Sequence, residues 1–143
     1  MCADGTTDII LGNVDGTSKI VNNDFNRRGE YEGGPDGCAI DFETSASGVV
    51  VEGNTIFKSW GAGIMVFGHQ TTSHNLSISN NTFIEAGCIQ TRGDRAAIAF
   101  TCPNHNKASG KLHHNLFQTC SGKAVVAEAY NEVRPKLEPV CRS

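Results

Sequence analysis

Two carboxylates set the chemical possibilities of this chain. Asp41 and Glu43 stand two apart in Ala39-Ile40-Asp41-Phe42-Glu43, a run that alternates apolar and acidic residues. If the run is a strand with Ile40 and Phe42 facing a core, both acids leave on the other face, roughly 6.5 to 7 Å apart at two residues' rise. That lies near the lower edge of the ~6.5 to 9.5 Å separating the two carboxyl groups of an inverting glycosidase, one the acid and the other the base for water. A second run, Gly63-Ile64-Met65-Val66-Phe67, puts Met65 and Phe67 at the matching outward positions, with His69 just beyond. Such an apolar strip can carry a sugar ring, and Tyr31, Glu32, Trp60, Arg92, Asp94 and Arg95 are placed to wall a cleft around a saccharide. Each feature also has a plainer use. A D-x-E pair on a strand is commonly a solvated face, Met65 and Phe67 can be covered by a loop or partner, and Trp60 can pack beneath loops. Arg92, Asp94 and Arg95 can pair within their own segment, which contributes little to stability.

These residues come together only if distant segments are stacked, and a repeat supplies the stacking. Leu76-Ser77-Ile78-Ser79-Asn80-Asn81-Thr82-Phe83-Ile84 has counterparts in Ile20-Val21-Asn22-Asn23-Asp24-Phe25, Val51-Glu52-Gly53-Asn54-Thr55-Ile56 and Leu112-His113-His114-Asn115-Leu116-Phe117. Asn23, Asn54, Asn81 and Asn115 step by 31, 27 and 34 residues, a spacing typical of stacked repeats. Alternation at period two marks strands, and no unit carries a helical stripe. Each unit therefore reads as an apolar strand, an Asn turn, an apolar bend and a second strand, one rung of a parallel β-solenoid of about four rungs. Asn tolerates the left-handed conformation, so one at the same corner of every rung turns the chain sharply. Stacked carboxamides there would satisfy one another. The link before the second strand is short in two rungs, at Gly61-Ala62-Gly63 and Gly122-Lys123-Ala124. In the other two it expands, to residues 29–37 and 88–96, and both long links should leave the same corner with Trp60 between them. Loops on a rigid scaffold are where function concentrates.

The repeated N-N-x-F phrase, with Asp36-Gly37-Cys38-Ala39-Ile40-Asp41-Phe42-Glu43, resembles the right-handed parallel β-helix repeat proteins of the pectate-lyase-like superfamily across roughly residues 8 to 128. The resemblance implies an all-β, single-stranded right-handed solenoid and a polysaccharide hydrolase or lyase working on an extended glycan in a groove along the stacked strands. Asp36-Gly37 with Asp41, and Gly68-His69, echo parts of the polygalacturonase pattern. That pattern's adjacent Asp pair is missing, and its R-x-K is met only by Arg134-Pro135-Lys136 in the tail. In a lyase, Arg95 or His69 would be the base, and Asp41 and Glu43 would hold Ca²⁺ through oxygen; no other cofactor is expected. Two alternatives stand beside the enzyme: a non-catalytic glycan-binding module using Trp60, Phe67 and Tyr31 as platforms, and a structural solenoid whose faces serve assembly.

Composition narrows the partners. A net charge of −3 over 143 residues argues against nucleic acid or an anionic membrane, and no apolar run approaches the ~20 residues of a spanning helix. Six cysteines with no C-x-x-C pair argue against a zinc site and point to an oxidising, extracellular compartment, although free thiols stacked inside a solenoid fit too. Asn75 and Asn80 head N-x-S/T sequons, of which Asn75 is the better glycan acceptor. Asp8 to Gly12 reads as the end of an incomplete rung, which predicts further rungs in a longer parent chain. A β-helix domain over 1–129 would then be followed by a cap or linker over 130–143.

Overall fold

In the computed structural model of the protein, residues 8–26, 37–67, 73–87, 96–101, 108–118 and 124–128 are described. They form thirteen short strands. The strands are β1 (Ile9–Leu11), β2 (Lys19–Val21), β3 (Asp24–Asn26), β4 (Ile40–Phe42), β5 (Val50–Glu52), β6 (Thr55–Phe57) and β7 (Ile64–Phe67). They continue as β8 (Ser73–Ser79), β9 (Thr82–Ile84), β10 (Ile98–Thr101), β11 (Ala108–His113), β12 (Leu116–Gln118) and β13 (Val125–Glu128). Every third strand pairs. The orders β1-β4-β7-β10-β13, β2-β5-β8-β11 and β3-β6-β9-β12 give three parallel sheets, the walls of a solenoid with four turns and one further strand.

The period-two pattern explains which side chains face in. Ile9, Ile40, Ile64 and Ile98 share one register column, and Leu11, Phe42, Val66 and Phe100 share the next but one. Ile20, Val51, Ile78 and Leu112 line the second wall; Phe25, Ile56, Phe83 and Phe117 line the third. These residues form one continuous core, fully buried in the middle turns, where each side chain contributes about 1.5–3 kcal/mol by leaving water. Phe83 and Phe117 stack at 5.2 Å and 10°.

Two details differ from the sequence reading. The apolar residue after each Asn is not a bend: Phe25, Ile56, Phe83 and Phe117 each lie in a strand of their own, so a turn has three strands and not two. A three-residue strand leaves too short an alternation to register as one. The left-handed residue is also not the stacked Asn but its predecessor, with φ of 55° at Asn22, 66° at Gly53, 55° at Asn80 and 56° at His114. The Asn that follows is released from turning the chain and stacks instead. Asn54 Oδ1 accepts from Asn23 N at 2.9 Å and Asn23 Nδ2 at 3.0 Å, and Asn81 Oδ1 accepts from Asn54 N and Nδ2 at 3.0 and 2.9 Å. Asn115 Oδ1 does the same for Asn81, at 3.0 and 3.1 Å. The other amide hydrogens of Asn54, Asn81 and Asn115 go to the carbonyls of Ile20, Val51 and Ile78. Asn54 and Asn81 are each 1 % exposed, and this network is what permits it, since a buried polar group without partners costs about 1–3 kcal/mol.

Candidate functional site

The outer side of the five-stranded sheet carries Asp41 and Met65, two of the residues singled out for chemistry. Within β4 the alternation turns Asp41 away from its core-facing neighbours Ile40 and Phe42, and register sets Asp41 beside Met65 and Met65 beside Ala99. One pleat further along, Phe67 pairs with Thr101, and Glu43 follows the last paired residue of β4, its amide donating to Leu11 O at 3.0 Å. Asp41 and Met65, followed two residues on by Glu43 and Phe67, thus lie on two neighbouring turns.

Their exposure is not as expected. Asp41 is 1 % exposed and Met65 3 %, so Asp41 does not stand in solvent and Met65 is not an open platform. With Cys38, Ala62 and Ala99, Met65 forms a second small apolar cluster outside the solenoid core, and Phe67 packs against it. Period two reveals which face a residue takes; it carries no information on whether that face is covered. Glu43 and Phe67 are partly exposed and are the accessible members of the set. Cys38 is a buried thiol. The other five cysteines lie outside the described residues.

Trp60 is held in place by features that sequence reasoning passed over. Gly37 has φ +56°, and a Cβ there would lie 2.8 Å from Trp60 Cβ, so the indole packs directly on the Gly37 backbone. The amide of Gly61 donates to Gly37 O at 3.0 Å. Beside it the Ser59 hydroxyl, fully buried, donates to Gly61 O at 2.9 Å and accepts from Gly87 N at 3.3 Å. Trp60 is therefore a partly buried ring on a pinned turn; the signal was the small-residue run Gly61-Ala62-Gly63, which leaves no slack.

Tyr31, Glu32, His69, Arg92, Asp94 and Arg95 lie outside the described residues. Among the described residues no three His, Cys, Asp or Glu side chains cluster as metal ligands. Asp41 with Glu43 offers two carboxylates where Ca²⁺ takes six to eight oxygens.

The repeat, the three parallel walls and the Asn column agree with the comparison to known families. No curated protein and no solved structure matches the chain. A family model described as a right handed beta helix region matches residues 4–135, and the chain belongs to that family.

Proposed function

We propose that this β-helix is a secreted carbohydrate-active protein, a polysaccharide hydrolase or lyase acting on an extended glycan laid along the outer side of the five-stranded sheet. The observation that carries the reading is Asp41 in register beside Met65 of the next turn, with a second carboxylate, Glu43, two residues on. Glu43, partly exposed, is the member that reaches substrate; Asp41, buried, is its partner carboxylate. On this reading Phe67 and Trp60 supply apolar contact to a sugar ring, Tyr31, Glu32, Arg92 and Asp94 are assigned to substrate binding, and His69 and Arg95 to catalysis. Further rungs of a longer parent chain would extend the groove. On a polysaccharide panel that includes polyuronates, Glu43→Gln is expected to lower turnover by about 10²–10⁴, the usual worth of a positioned acid or base. Unchanged turnover in Glu43→Gln and Asp41→Asn would remove the catalytic role.

A glycan-binding module without catalysis is the second reading, and the burial of Asp41 favours it, because a carboxylate 1 % exposed has little access to a scissile bond. This reading expects glycan-array binding that survives Glu43→Gln and disappears in Trp60→Ala.

A further inference from the structure

A pocket of about 450 Å³ opens on a different wall, lined by Lys19, Val21, Asn22, Glu52, Gly53 and Asn80. Its origin is a gap in the corner column. The left-handed residues Asn22, Gly53, Asn80 and His114 follow one another up the solenoid. The amides of Asn22, Gly53 and Asn80 each bond to the next turn, at Glu52 O, Ser79 O and His113 O. Gly53 alone has no side chain, so a notch is left between the carboxamides of Asn22 and Asn80. A Cβ on Gly53 would fall against Asn22 Oδ1, so the Asn22 carboxamide leans into the side of the notch that a Gly53 side chain would take.

The lining defines the ligand. Asn80 Nδ2 donates to Glu52 Oε1 at 3.1 Å, orienting the carboxylate; among the described residues Glu52 Oε2 accepts no hydrogen bond and the Lys19 ammonium makes no ion pair. Donors and acceptors thus stand side by side, which suits hydroxyl groups, since each hydroxyl both donates and accepts. The formal charges of Lys19 and Glu52 cancel, which favours a neutral ligand over an anion or a metal cation. Val21, 40 % exposed, gives the C–H face of a ring an apolar contact. The volume falls within the ~300–1,000 Å³ of small-molecule sites. We infer that this corner notch is a binding subsite for one neutral pyranose, separate from the face that carries Glu43 and Phe67.

Titration of the ¹⁵N-labelled full chain with glucose and with N-acetylglucosamine tests this. Saturable amide shifts are expected at Lys19, Val21, Asn22, Glu52, Gly53 and Asn80. Gly53→Asn fills the notch with a residue that the equivalent positions already hold at φ 55°, and the Asn22 carboxamide can swing aside. Its shifts are expected to vanish while thermal unfolding stays cooperative. Should that variant not fold, Glu52→Gln at an exposed position serves instead and is expected to weaken binding about tenfold, the worth of one hydrogen bond to a charged group. Absence of saturable shifts at these amides, their persistence in Gly53→Asn, no weakening in Glu52→Gln, or tighter binding of galacturonate than of the neutral sugars would each overturn the inference. Shifts confined to residues 41–43 and 65–67 would overturn it too, while supporting the reading of the five-stranded sheet.

Discussion

Asn81 makes more of this fold than any one apolar residue does, because it satisfies four groups at once. Its oxygen accepts the Asn54 amide and side chain, and its nitrogen donates to Val51 O and Asn115 Oδ1. Replacing it by Ala leaves buried donors and a buried carbonyl unsatisfied, each costing about 1–3 kcal/mol. Asn81→Ala is therefore expected to lose about 3–5 kcal/mol in chemical denaturation. Asn23→Ala, at an exposed end with one Asn neighbour, should lose less than half of that, and equal losses would contradict the account. The column was legible in the sequence because an identical side chain recurs at near-constant spacing. The left-handed partner was not, because in Asn22-Asn23 and Asn80-Asn81 both residues suit that conformation and pattern cannot separate them. Only Gly53-Asn54 and His114-Asn115 distinguish the two positions, and His114 at φ 56° is an unusual choice.

That choice has consequences for the element it ends. The corner between β11 and β12 turns the chain from one wall to the next through one left-handed residue, which costs an L-amino acid with a bulky side chain about 1–2 kcal/mol and costs Asn least. His114→Val is expected to destabilise by about 1–2 kcal/mol, since a β-branched residue adds further strain there. His114→Asn is expected to be neutral or slightly stabilising in the same thermal unfolding measurement. A Val variant as stable as wild type would show that the corner relaxes. Strand content was readable from alternation, and so was the turning of Asp41 away from Ile40 and Phe42. The burial of Asp41 and Met65 was not, because alternation tells which side a residue takes and not whether water reaches that side. The third wall was missed for a related reason, its strands being only three residues long.

For the molecule as a whole, stability is a sum over neighbouring turns. Strands β5, β6, β8 and β9 bond to a turn on each side, whereas β2, β3 and β12 close their sheets. Exposure follows the same gradient: Ile56 and Phe83 are fully buried, Phe25 is 8 % exposed and Phe117, their counterpart in the last turn, is partly exposed. Amide hydrogen exchange is expected to be slowest in β5, β6, β8 and β9 and about a hundredfold faster in β3 and β12, the range that separates local from global opening. Uniform protection across all turns would instead mark a single cooperative unit.

The stacked carboxamides all face one way, oxygen toward Asn23 and nitrogen toward Asn115. Their dipoles add and polarise one another, which gives the solenoid an electrical direction along its axis that its formal charges do not. A file of this kind is interrupted by the first missing member. Losing Asn54 and Asn81 together should then cost less than the sum of losing each alone.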